Sequence, residues 1–195
     1  MSSHHFVREG QEPALLIHEA LPQALTEPLL EWAPLVMVID SALENVLLWG
    51  IKIDVVFVRI GEVNHWRESL ADQAPIKIIS YQPDEDPLET AFYFLISSKQ
   101  QAVSILTRQP DWVISKSEIL VTQLDVVLLS ETVRWSVIRS GHFEKWVPAN
   151  TKLFIQHRAP LDCKGLRLQN NTYEATREGL ISIQSQAPFW VGETL

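Results

Sequence analysis

Short apolar runs punctuate the first two-thirds of the chain: Ala14–Ile17, Leu35–Ile39, Val55–Val58, Ile76–Ile79 and Val103–Leu106. They read as continuous rather than alternating, the pattern of strands that have no solvent face. Such strands belong in a parallel sheet covered on both sides by helices. Helical stretches fill the gaps. Leu25–Trp32 follows Pro22, and Ser41–Trp49 closes at Gly50, the residue type favoured just past a helix C-terminus. Pro87–Ser97 begins with acidic residues and a proline in its first turn. Its Leu88, Ala91, Phe92 and Leu95 fall at i, i+3, i+4 and i+7, one apolar stripe for packing on a sheet. A further strand, Leu124–Leu129, closes this region.

The pattern changes after about Glu131. Strand-like pieces follow at Val133–Ile138, Leu153–Gln156, Gly165–Leu168, Leu180–Gln184 and Phe189–Val191, with no helical stripe among them. Turn chemistry separates them at Ser140-Gly141, Pro148-Ala149-Asn150, Ala159-Pro160 and Asn170-Asn171. The expected architecture is an α/β domain over residues 1–131 and a small antiparallel β-sandwich domain over 132–195. Ligand sites in such chains favour domain interfaces and the carboxyl ends of α/β strands.

Charge narrows the partners. The chain has 195 residues, 16 Lys+Arg and 24 Asp+Glu, a net charge of −8, and no basic run. That argues against nucleic acid or an anionic membrane as the main partner, because polyanion recognition needs clustered cations. No apolar run reaches the ~18 residues of a spanning helix. The N-terminal MSSHHFVREGQEP lacks the apolar stretch of a secretory signal, so the cytoplasm is the expected compartment. Cys163, the single cysteine, reads as a packed small hydrophobe. His4-His5 sit near the N-terminus, and His18, His65, His142 and His157 are scattered without metal-ligand spacing. No GxGxxG, GxxxxGK[ST] or GxSxG motif occurs. Of the seven tryptophans, most are expected in the core and some at a subunit interface.

The order of segments is informative. Pro13-Ala14-Leu15-Leu16-Ile17 is followed by Val38-Ile39-Asp40-Ser41-Ala42-Leu43, then by Gly50-Ile51-Lys52-Ile53-Asp54-Val55-Val56, then by Tyr81-Gln82-Pro83-Asp84-Glu85-Asp86-Pro87-Leu88-Glu89. Farther on stand Phe143-Glu144-Lys145-Trp146-Val147-Pro148-Ala149-Asn150-Thr151, Lys164-Gly165-Leu166-Arg167 and Pro188-Phe189-Trp190. This series resembles the thiamin pyrophosphokinase family over nearly the whole chain. The resemblance implies a Rossmann-like, mostly parallel α/β domain of the nucleotide-binding type, then a β-sandwich that holds thiamine, in a homodimer that shares its sites. The implied activity is transfer of pyrophosphate from ATP to thiamine with Mg²⁺. Such chemistry needs carboxylates to hold a hard cation on the phosphates.

Carried onto this chain, the resemblance makes Asp40 and Asp84 candidate catalytic residues. It makes Asp40, Glu62, Asp84 and Asp86 candidate metal ligands, Ser41, Arg59 and Arg108 candidate nucleotide-binding residues, and Trp190 the candidate thiamine-stacking residue. Several positions depart from the family pattern. Where it has Gly-Asp-x-Asp-Ser, this chain has Val58-Arg59-Ile60-Gly61-Glu62, so an arginine replaces the first metal carboxylate and a glycine the second. Pro87 replaces the second acid of the motif that begins at Asp84, and Asp84-Glu85-Asp86-Pro87 equally suits an ordinary helix N-terminus. A Thr-Gly-x-Arg-x-Asp-His loop has become Thr107-Arg108-Gln109-Pro110-Asp111-Trp112, and His18-Glu19-Ala20 stand where a glycine follows the first strand. Asn170–Gly179 reads as a short connector. Ser41 is placed to cap the helix after Asp40. The expected function is that of a thiamin pyrophosphokinase-like protein with degenerate sites, catalytically impaired, binding a nucleotide or thiamine-like ligand. The alternatives are an active enzyme with a rearranged metal site, and a cleft repurposed for another anion held by Arg59 and Arg108.

Overall fold

The computed structural model describes residues 12–195, so His4 and His5 lie outside the described residues. The chain divides into two units, Met1–Val126 and Val127–Leu195.

In the first unit the continuous apolar runs become β1 (Ala14–Ile17), β2 (Val36–Ile39), β3 (Val55–Arg59) and β5 (Ala102–Leu106). Every residue of β1 and β2, and Val55–Val58 of β3, is buried. With β4 (Lys77–Tyr81) they form a parallel sheet in the order β5-β1-β2-β3-β4. β4 departs from expectation: it is the edge strand, and only Tyr81 is buried along its length. Lys77 fits there because it projects its ammonium over the Phe94 ring, 4.7 Å from the centroid.

The helices are α1 (Gln23–Leu30), α2 (Asp40–Leu47), α3 (Val63–Ser69), α4 (Pro87–Ser97), α5 (Pro110–Lys116) and α6 (Leu120–Gln123). α4 buries the expected stripe of Leu88, Ala91, Phe92 and Leu95. Gly50, three residues past α2, takes φ +66°, as a helix stop requires. α3, α5 and α6 were not expected, since helices of seven or four residues have too few turns to show a periodic stripe. Asp54, in the Gly50–Val56 segment, is structural. Its Oδ2 accepts from the Val36 N–H at 2.8 Å and its own N–H donates to Val36 O at 2.9 Å, which fixes the start of β2. No described helix is long and apolar enough to cross a membrane.

β6 (Asp125–Leu129) runs through the division between the units. In the second unit, β7 (Val133–Ile138), β9 (Lys152–Gln156), β11 (Leu166–Gln169), β12 (Thr172–Ala175) and β14 (Phe189–Thr194) form an antiparallel series β7-β14-β9-β12-β11. A second antiparallel sheet has the order β10-β13-β8, built from Leu161–Lys164, Gly179–Ser185 and His142–Val147. Val147, Leu153, Ala175, Ile181, Ile183, Phe189 and Val191 form the core, with Cys163 packed against it. β8 and β10 were not expected as strands, and the presumed connector Asn170–Gly179 contains β12. Charged residues occupy part of each: Glu144 and Lys145 in β8, Asp162 and Lys164 in β10, Glu174 in β12. Such short mixed runs carry little β signal of their own.

Two packing tests follow. Leu16 is fully buried in β1, so Leu16→Ala should cost about 2–5 kcal/mol in urea unfolding. A Cβ at Gly192 would sit 3.0 Å from two Trp135 ring carbons and from Val133 Cγ1. Gly192→Ala should therefore destabilise by ~1–3 kcal/mol, although alanine usually favours strands over glycine. A neutral or stabilising alanine would mean that Trp135 shifts freely.

Candidate functional site

Because β1, β2 and the Val55–Val58 stretch of β3 offer no polar side chain, the first unit's polar groups gather where the parallel strands end. β1 leads into His18 and Glu19, β2 into Asp40 and Ser41, and β5 into Thr107, Arg108 and Gln109, while β3 ends in Arg59 and β4 in Tyr81. The chain steps outward from β1 to β4 and then returns to place β5 on the other side of β1. This reversal makes the carboxyl ends of β1 and β5 a topological switch point, where open α/β sheets admit ligands.

A pocket of about 330 Å³ opens beside the ends of β2 and β3, lined by Asp40, Ser41, Glu44, Asn45, Arg59, Glu62 and Trp66. Its volume is at the small end of the range for ligand sites. Tyr81 Oη donates to Asp40 Oδ2 at 2.5 Å, and the Ser41 N–H donates to Asp40 Oδ1 at 2.8 Å. Arg59 and Tyr81 are register partners on β3 and β4, which brings the Arg59 charge beside the Tyr81 hydroxyl. Burial, followed by the hydrogen bond to Asp40, raises the Tyr81 pKa far above its ordinary value, while Arg59 pulls the other way. Tyr81 therefore remains a proton donor. Arg59 also faces Glu62 at 3.9 Å, and Glu62 accepts from Trp66 Nε1 at 3.3 Å.

A second cluster joins β1 to β5. Glu19 Oε2 accepts from Thr107 Oγ1 at 3.0 Å and from the Arg108 N–H at 2.7 Å, and its Oε1 accepts from Gln109 Nε2 at 3.0 Å. Thr107 has one hydroxyl proton and gives it to Glu19, so its oxygen accepts from Gln109 N–H at 2.9 Å and from His18 Nδ1 at 3.1 Å. That pattern requires the proton of neutral His18 to sit on Nδ1. Burial lowers the His18 pKa against the opposing pull of Glu19 and Asp86. Burial alone would raise Glu19, but the hydrogen bonds from Gln109, Arg108 and Thr107, with His18 nearby, hold it below its ordinary value.

The pocket thus brings together Asp40, Ser41, Arg59 and Glu62 of the expected residues. Asp84, Asp86 and Arg108 are not among its lining residues. Asp84 sits in the turn before α4, and Asp86 caps that helix by accepting from the Leu88 N–H at 2.9 Å, with Lys116 Nζ 3.5 Å away. Ser41 does not cap α2 with its hydroxyl, because the helix already begins at Asp40; its Oγ donates to His18 O at 3.1 Å. Trp190 belongs to the second unit and is 6% exposed, on the face of β14 opposite Phe189 and Val191. Trp135, across from Gly192, has a buried indole N–H without a partner among the described residues. Sequence reasoning missed Tyr81, Glu19, Thr107 and Trp66 as site residues. Only the position of Tyr81, Glu19 and Thr107 at or just beyond strand ends could have marked them.

No family model matches this chain, and no curated protein matches it. Solved structures do. Thiamine pyrophosphokinase from Bacillus subtilis superposes with a TM-score of 0.63 at 11% identity, over 93% of this chain and 98% of that one. Thiamin pyrophosphokinase from Candida albicans gives 0.67 at 8% identity, over 94% and 89%. The yeast thiamin pyrophosphokinase gives 0.67 at 10% identity, over 96% and 88%. At these identities the likeness is one of fold.

Both titratable groups of the β1–β5 cluster, His18 and Glu19, are half-buried and bind protons less readily when folded than when unfolded. The unfolded chain therefore takes up protons first as pH falls, and stability falls with it. For His18 the loss begins below its ordinary 6.5, and for Glu19 below its ordinary 4.5. Urea midpoints should hold steady above about pH 7 and drop in these two stages. His18→Gln should flatten the upper stage, and Glu19→Gln only the lower one. A decline unaffected by either substitution would remove both groups from the account.

Proposed function

We propose that this chain is a thiamin pyrophosphokinase-like protein impaired in pyrophosphate transfer, which binds a small thiamine-like ligand in the pocket beside β2 and β3. The observation that carries the reading is the pocket's charge: the three carboxylates Asp40, Glu44 and Glu62 stand against the one guanidinium of Arg59. A bare polyphosphate meets net repulsion there, whereas a cationic heteroaromatic molecule is attracted. Mg²⁺, which the fold's relatives imply, would demand near-octahedral oxygen ligands. The donors here do not fit it. Both Asp40 oxygens already accept hydrogen bonds, Glu62 is engaged by Arg59 and Trp66, and the guanidinium lies within the same pocket.

A second reading, an active enzyme that transfers pyrophosphate from ATP to thiamine, is favoured by the convergence of Asp40 and Glu62 on one pocket. On either reading the chain is a homodimer. Trp146 and Leu180, register partners in the β10-β13-β8 sheet, are 57% and 64% exposed and give the second unit an apolar patch suited to a subunit interface.

Thiamine diphosphate formation from thiamine and Mg·ATP, followed by chromatography, should not exceed a no-protein control. Intrinsic tryptophan fluorescence should report thiamine binding at least about tenfold tighter than ATP binding, a difference near 1.4 kcal/mol. Turnover that Asp40→Asn abolishes would establish the active enzyme instead.

A further inference from the structure

The pocket contains a hydrogen-bond relay that does more than line it. The Arg59 guanidinium stands beside the Tyr81 hydroxyl as its register partner, and Tyr81 donates to Asp40 Oδ2. The three residues come from the ends of β3, β4 and β2, which the parallel register sets side by side. Tyr81 is 4% exposed, whereas the Arg59 side chain is 61% exposed, so a buried neutral donor conveys the field of an exterior cation to a half-buried carboxylate. We infer that Arg59 and Tyr81 together stand in for a bound cation at Asp40, and that the pocket is a metal-independent ligand site.

The argument is one of valence and place. A divalent ion at Asp40 would supply positive charge and an acceptor for the carboxylate's lone pairs, and the relay already supplies the first through Arg59 and the second through Tyr81. An ion taking the Oδ2 lone pair that Tyr81 uses would deprive that buried hydroxyl proton of its acceptor, and an ion on either remaining lone pair would face the Arg59 charge across the same pocket. Ser41 holds the other oxygen through its backbone N–H and cannot turn away without unwinding the first turn of α2. Glu62 adds a restraint, since its ion pair with Arg59 keeps the guanidinium near the pocket.

The inference rests on the reading of this pocket as a ligand site but is tested apart from it, with Mn²⁺ alone as the probe. Electron paramagnetic resonance titration of the full chain should show no Mn²⁺ binding that depends on Asp40. Tyr81→Phe, which keeps the ring and removes only the hydroxyl, should raise Mn²⁺ affinity severalfold. Tyr81→Phe combined with Arg59→Asp should raise it at least about tenfold. Adding Asp40→Asn to either background should abolish the gain. Circular dichroism and urea midpoints establish which variants are folded; if the double variant is not, Tyr81→Phe decides. Wild-type Mn²⁺ binding that Asp40→Asn removes would overturn the inference, as would folded variants with no gain. These results are distinguishable from failure of the functional reading, which would appear as thiamine diphosphate formation by the wild-type chain.

Discussion

Strands that have no polar face govern this structure. β1, β2 and most of β3 are apolar on both sides, so helices must cover both faces of their sheet and no side chain along them can meet water. Chemistry is thereby confined to the strand ends, and the parallel register aligns those ends. Asp40, Arg59 and Tyr81 are far apart in sequence but become neighbours because β2, β3 and β4 run in the same direction and stop together. His18 and Thr107 meet for the same reason across β1 and β5.

Confinement at the ends has a second consequence, which concerns charge. Carboxylates crowded along one edge of a sheet must find donors or shift their proton affinity. Here they find donors within the protein. Glu19 takes three, from Thr107, Arg108 and Gln109; Asp40 takes Ser41 and Tyr81; Asp86 takes the Leu88 N–H with Lys116 beside it; Glu62 takes Trp66. The edge is held by its own acids. Residues that look available for ligands when judged by type and spacing also accept hydrogen bonds within the protein.

That is why the fold was more legible in the sequence than the site. A continuous run such as Val36–Ile39 announces a covered strand without reference to anything distant. The run Ile76–Ile79 misleads only because an edge strand tolerates Lys77 beside an aromatic ring. The second unit's short mixed strands, β8, β10 and β12, owe their form to pairing partners rather than to their own composition. Site geometry depends on register, which no local pattern encodes: nothing in the string joins Arg59 to Tyr81, although the ladder sets them opposite each other. Asp86 shows the converse case. Its place before Pro87 suits a helix cap as well as a ligand, and the structure has it accepting from Leu88 N–H.

The same division explains how a likeness of fold persists at 8–11% identity. A covered strand asks only for apolar side chains of suitable volume, and valine, isoleucine and leucine exchange there with modest cost when neighbours repack. A site asks for particular groups at particular strand ends. An arginine can stand at the end of β3 with its side chain largely in solvent while Val55–Val58 behind it stay buried. A charge at a strand end does alter what can approach the neighbouring carboxylates. Likeness of backbone is therefore weak ground for likeness of reaction, and the side chains at the strand ends are where the function of this chain has to be argued.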